Sequence, residues 1–194
     1  NINQLGETEL NNQNDNINKA LLVIDIQEDA TGKTAKRPYK NSQELISNVN
    51  LVIESSEKKG ITVIYIKHEI NSNFLNKIVM RNRFIKGTQG SEIDSRIKIV
   101  NNYIYSKDKG NAFSNPKLDS FLKQNHINEV FIVGLDATAC VYRTSIGAID
   151  KGYKSIVLED AIVTSNMSKM PKILEKYENE GILLTTIQKF KQNK

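Results

Sequence analysis

The chain has 194 residues, with 27 Lys and Arg against 22 Asp and Glu and a single cysteine. That length carries a hydrophobic core without crosslinks, and one cysteine excludes an internal disulfide and a Cys-based zinc site. The net charge of +5 is spread along a Lys-, Asn- and Ile-rich sequence, with no basic stripe interleaved with aromatics, which argues against nucleic acid; no apolar run is long enough to span a membrane.

In chain order, the first segment is a leader. Seven of the first eighteen residues are Asn and no periodicity is present, so residues 1–18 are expected to be flexible. The chain opens on Asn rather than Met and reads as trimmed or processed. The expected location is cytoplasmic, with an exported or anchored form left open by whatever precedes Asn1.

Residues 19–194 read as a single domain. Six β-branched runs recur: "ALLVIDI" (20–26), "ITVIYIK" (61–67), "NYIYS" (102–106), "EVFIVG" (129–134), "KSIVLED" (154–160) and "ILLTTI" (182–187). Most are nearly continuous apolar runs, the pattern of strands buried on both faces of a parallel sheet. Helical stripes lie between them. One carries Leu45, Val49 and Val52 after a cap at Asn41 or Ser42. Another opens at Asn115-Pro116 and turns Leu118, Phe121 and Leu122 inward. A third follows Gly134, runs to about Lys151 and stops at Gly152. The last starts near Pro171 and buries Ile173, Leu174 and Tyr177. Residues 69–100 break the alternation and read as a loop with a short helix around 91–97. The whole predicts an α/β sandwich around a mainly parallel sheet.

In such sheets reacting groups gather beyond the carboxyl ends of the strands. That rule selects Asp25, His68, Lys107, Cys140 and Asp160. Cys140 falls in the first turn of a helix, where the macrodipole and unpaired N–H groups favour a thiolate and can hold an oxyanion; the bland alternative is a small core residue. Asp25 interrupts an apolar strand, a costly place for a carboxylate unless it is paired, and would serve as base for Cys140 or cap a neighbouring loop. Lys107 would pair with Asp25, and spacing alone does not choose it over Lys109. His68 is an alternative base or a pocket wall; His126 reads as a surface residue. No nucleophile elbow, phosphate loop or dinucleotide fingerprint is present.

Four segments in order resemble the isochorismatase-like cysteine hydrolase family: "ALLVIDIQ" with Asp25, "GTQGSEI" (87–93), "KDKGNAFSNPKLDSFL" (107–122), and "VFIVGLDATACVYRTSIGAIDKGYKSIVLEDA" (130–161) with Cys140. The resemblance covers about Ala20 to Ile187. It implies a three-layer α/β/α fold with a six-stranded sheet, and a catalytic triad of Asp25, Lys107 and Cys140, the lysine chosen by counting back from Phe113. It also implies a cis peptide between Leu135 and Asp136 that aims the N–H groups of Asp136 and Cys140 at an oxyanion. His68, Phe113, Tyr142 and Arg143 are the expected pocket walls. The chain departs from the family pattern at Asp136-Ala137-Thr138, which bears on the substrate contacts.

The nicotinamidase branch of the family carries a metal site with an Asp-x-His pair and a further histidine. Here the corresponding strand end reads "YIKHEI", so no metal and no cofactor are expected. Isochorismatase proper does not depend on a cysteine nucleophile, and Cys140 points instead to a small amide or related C–N substrate cleaved through a thioester. Nicotinamidase is the alternative within the family; a catalytically idle binding or assembly subunit is the alternative of another class. The expected partners are a small-molecule substrate and further copies of the chain in a homo-oligomer.

Overall fold

A computed structural model of the chain describes residues 17–193. Most of the expected leader, residues 1–16, lies outside the described residues, and Asn18 already begins the first strand. The strands are β1 (Asn18–Ile24), β2 (Thr62–His68), β3 (Ile104–Lys107), β4 (Ile127–Leu135), β5 (Lys154–Val163) and β6 (Leu183–Thr185). They form one six-stranded sheet in the order β3-β2-β1-β4-β5-β6, and every pairing is parallel.

The apolar runs follow from burial on both faces. β1 sends Leu21 and Val23 to one layer and Ala20, Leu22 and Ile24 to the other. The first layer is closed by α2 (Ser42–Lys58) and α7 (Ile187–Gln192), through Leu45, Val49, Val52, Ile187 and Phe190. The second is closed by α4 (Pro116–Gln124), α5 (Cys140–Asp150) and α6 (Met170–Asn179), through Leu118, Leu122, Val141, Ala148 and Tyr177. Leu118 and Leu122 are fully buried, and each contributes about 1.5–3 kcal/mol relative to exposure. Asn115 caps α4 by accepting from the Lys117 N–H, and Pro116 fills the first turn as its spacing predicts.

The strand order steps outward from β1 in one direction and from β4 in the other. The crevice therefore opens at the carboxyl ends of β1 and β4. Gly134 marks the close approach of these two strands. Its φ is +123°, and a Cβ there would lie 2.1 Å from the Ile24 carbonyl oxygen, a contact that only glycine avoids.

Three local expectations are corrected. Residues 91–97 form no helix beyond one 3₁₀ turn at Gln89–Ser91, because their backbone is committed elsewhere: Asp94 N–H donates to Ile26 O and Ser95 N–H to Glu28 Oε1. The helix of this excursion is α3 (Phe74–Val79), capped by Asn73. It escaped a periodicity search because no face of it is buried, and Phe74, Leu75, Ile78 and Val79 are all exposed. The last apolar run shortens to β6, since Thr186 caps α7 by accepting from the Lys189 N–H.

Candidate active site

The short α1 (Glu28–Thr31) follows β1 directly, and between them the chain turns at Asp25 with φ of +55°. A left-handed conformation at a non-glycine residue is uncommon, and Asp is among the side chains that tolerate it. The turn places the Asp25 carboxylate over the crevice, where it is buried. Lys107 closes β3, and its buried Nζ donates to Asp25 Oδ2 at 2.9 Å. Lys109, two residues on, is exposed. Strand register thus separates the two lysines that spacing could not, because β2–β3 pairing sets Lys107 beside His68.

His68 ends β2, and its Nδ1 lies 2.9 Å from the same Lys107 Nζ. Burial first, then the Lys107 charge, pushes the His68 pKa below its ordinary value, so the ring is neutral and Nδ1 accepts from the ammonium. A ring whose Nδ1 is already engaged with a cation is poorly suited to deprotonate a thiol, which weighs against His68 as the alternative base.

Cys140 is the first residue of α5. Its Sγ lies within 4.8 Å of a carboxylate oxygen of Asp25 and a ring nitrogen of His68. Asp25 Oδ1 is buried and has no hydrogen-bond partner among the described residues. One oxygen of this carboxylate therefore holds the lysine while the other is unengaged, and the carboxylate lies within 4.8 Å of the thiol. The expected thiolate is corrected here. Burial, reinforced by the Asp25 charge and only partly offset by Lys107, pushes the Cys140 thiol up to about 12. At neutral pH the Cys140 side chain therefore rests as the thiol.

The turn before α5 is built around Asp136. The Leu135–Asp136 peptide is cis. In this turn the N–H groups of Ala137, Thr138, Ala139 and Val141 donate to Val163 O, Asp136 Oδ1 and, for the last two, Asp136 O. The N–H groups of Asp136 and Cys140 have no such partner among the described residues, and no side chain caps α5. Asp136 Oδ2 also accepts from Tyr39 Oη at 2.8 Å, a tether that sequence reasoning missed.

The other sequence candidates sit elsewhere. Phe113 is buried in the core, its ring stacked on Tyr153. Tyr142 donates to Glu180 and lies under Lys176, so it faces α6. Arg143 lies across Gly110, where a Cβ would clash at 2.6 Å. Asp160 is not at a strand end, because β5 continues to Val163. Its carboxylate accepts from the Ile187 N–H at the start of α7. A second missed residue is Gln27, fully buried, whose Nε2 donates to His68 O and Ser91 O while Oε1 accepts from His68 N–H. An Asp-x-Gln pair just past an apolar strand was the available signal, since a polar side chain buried there must find partners.

The donors Asp25, His68 and Cys140 would make a three-ligand metal group by residue type. The Lys107 ammonium, 2.9 Å from two of the three, is the cation they already hold. Nor does the nicotinamidase pattern fit: β2 ends Lys67-His68-Glu69, and His126 is exposed just before β4, at the opposite end of the parallel sheet.

An isochorismatase domain model matches residues 19–189. Among curated proteins, the chain is 26% identical to a "probable inactive nicotinamidase" of Arabidopsis thaliana, over 90% of this chain and 95% of that one. Among solved structures it superposes on an isochorismatase-like hydrolase from Alkaliphilus metalliredigens with a TM-score of 0.80 at 23% identity, covering 91% of this chain and 97% of the other. N-carbamoylsarcosine amidase from Thermoplasma acidophilum gives 0.76 at 24% identity, covering 88% and 97%. At these identities the two structures speak for the fold alone.

Proposed function

The chain belongs to the isochorismatase family, and from that premise we propose that it is a cysteine hydrolase of small amides or related C–N substrates. The observation that carries the reading is the buried Asp25–Lys107 pair with its second carboxylate oxygen unengaged beside the Cys140 thiol. A carboxylate taken out of water at this cost, yet left half-satisfied, suits a proton acceptor better than a structural brace.

The steps follow from the resting charges. As Sγ attacks the amide carbon, the thiol proton passes to Asp25 and the carbonyl electron pair moves onto oxygen, where the Asp136 and Cys140 N–H groups receive it. Collapse breaks the C–N bond, and Asp25 returns its proton to the departing nitrogen, releasing ammonia or an amine. Water then gives a proton to Asp25 and attacks the thioester; the acid leaves and the thiol is restored. Lys107 holds the Asp25 carboxylate in position between steps. With the thiol held up to about 12, proton transfer accompanies attack and no thiolate accumulates.

The idle-subunit reading rests on a relative named inactive, and the intact buried cluster weighs against it. A screen of small aliphatic and aromatic amides, nicotinamide included, tests the proposal by ammonia release. Turnover lost in Cys140→Ala supports it; no turnover across the panel, or turnover that survives the substitution, overturns it.

A further inference from the structure

Beside the catalytic crevice lies a cavity of about 400 Å³ lined by Asp29, Lys36, Arg37, Val79, Arg81 and Arg83. Its charge is one-sided. The lone carboxylate is fully engaged, Asp29 Oδ1 accepting from Thr34 Oγ1 and Oδ2 from the Phe84 N–H. None of the four cations forms an ion pair among the described residues. All four are exposed to solvent, so the cavity presents a positive field at its surface that favours an anion over a cation or a neutral group.

Both walls of the cavity reach the catalytic cluster. On one wall, the segment bearing Lys36 and Arg37 continues to Tyr39, which hydrogen-bonds Asp136. On the other, Arg83 lies over the Phe84 ring at 5.4 Å, and that ring meets the edge of His68 at 5.7 Å. Three contacts in series thus link the Cys140 thiol to the Arg83 guanidinium: Cys140 to His68, His68 to Phe84, and Phe84 to Arg83. The loop that presents Arg83 is held in an unusual backbone: Arg81, Asn82 and Phe84 have φ of +53°, +59° and +58°. For a bulky Phe this is a genuine outlier, and such strain persists where surrounding structure enforces it. Here the enforcing contacts are the Phe84 N–H to Asp29 and the Ile70 N–H to Phe84 O at 2.9 Å.

We propose that this cavity binds the anionic end of the substrate, so that the amide cleaved at Cys140 carries a carboxylate recognised by Arg83 with Arg37, Arg81 and Lys36. This rests on the amide-hydrolase reading and narrows it to a substrate class. The Arg83 charge also opposes protonation of His68, as a cation poised at the mouth must. Guanidinium and carboxylate match in shape, and such charge-assisted pairs are the stronger hydrogen bonds.

The test compares succinamate with its uncharged counterpart butyramide. The intact protein should favour succinamate by about tenfold or more in kcat/KM, the scale of one charge-assisted contact, and the preference should shrink with added salt. Arg83→Gln should erase most of that preference through KM, with kcat for succinamate held, while Lys77→Gln outside the cavity should not. Equal kcat/KM for the two amides, or an Arg83→Gln loss shared equally by both, would overturn the assignment. Calorimetric titration of succinate into the intact protein and Cys140→Ala separates the two readings. If no amide is turned over yet succinate binds both proteins and loses affinity in Arg83→Gln, the hydrolase reading fails and the anion site stands. Absence of succinate binding to the intact protein sinks the site whatever the amides do.

Discussion

The two ends of the sheet differ in a way that volume alone misrepresents. A cavity of about 840 Å³ opens at the amino ends of the strands among Lys19, Ile61, Glu129, Phe131 and Lys154. It holds no nucleophile, and its ion pair, Lys154 with Glu129 at 3.5 Å, has a half-exposed lysine. The carboxyl end is more crowded, yet there a buried 2.9 Å pair, a neutral histidine and a thiol converge. Water at the amino end screens whatever charge is there. At the carboxyl end each charge is felt by its neighbours, and that coupling makes chemistry.

The sharpest way to break this contrast is at Asp25. Asp25→Asn should lower amide turnover by about 10²–10⁴-fold, the usual worth of a general base. It should at the same time speed iodoacetamide labelling of Cys140 at pH 8, because it removes a charge that holds the thiol pKa up while Lys107 remains. Intact-mass spectrometry reads the labelling; unchanged turnover would remove Asp25 from the mechanism. Next in size is the ion-pair contrast. Lys107→Met leaves a buried carboxylate without its cation and should cost about 3–5 kcal/mol in urea unfolding, whereas Lys154→Met should cost under about 1 kcal/mol. Similar midpoints for the two would mean that the carboxyl-end pair is not buried in solution.

Two glycines sharpen the same comparison through the backbone. Gly134→Ala drives a Cβ into Ile24 O and should cost more than about 3 kcal/mol, while Gly152→Ala, with φ of +90° but open space around it, should cost about 1 kcal/mol. Of similar size over its first pH unit is an alkaline effect. A thiol whose folded pKa is raised contributes stability in full below its unfolded pKa and loses it as pH climbs from about 9 toward 12. The melting temperature should therefore fall over that window, and between pH 9 and 10, before the tyrosines join, the fall should be shallower in Cys140→Ala. A parallel course for both proteins would show that the thiol is not desolvated. Last comes an expected null: exhaustive chelation should leave turnover unchanged, because Lys107 already serves as the cation of the cluster. Activity lost in EDTA and restored by zinc or iron would reverse that assignment.

How much of this was legible in the sequence varies with the physics involved. Strands buried on both faces announce themselves as apolar runs, so the sheet and the strand-end positions of Asp25, His68 and Lys107 could be read directly. The helix start at Pro116 and the helix stop at Gly152 followed from local sterics. What could not be read depends on partners distant in sequence. Apart from the family resemblance, Lys107 was separable from Lys109 only by β2–β3 register. The thiol's protonation required knowing how deeply three side chains are buried together. Residues 91–97 looked helical because their amide partners, Ile26 and Glu28, lie some 70 residues upstream. α3, exposed on every side, has no core to imprint a period upon it.

The resting thiol has a consequence for exposure to oxidants. Peroxide attacks thiolates, so damage to a cysteine follows the ionised fraction. A Cys140 held up to about 12 is almost wholly protonated at neutral pH and offers hydrogen peroxide little to oxidise. Under the proposed mechanism, in which Cys140 loses its proton only as an electrophilic carbon arrives beside Asp25, the sulfur would stay chemically quiet between turnovers, a form of protection that a preformed thiolate would lack.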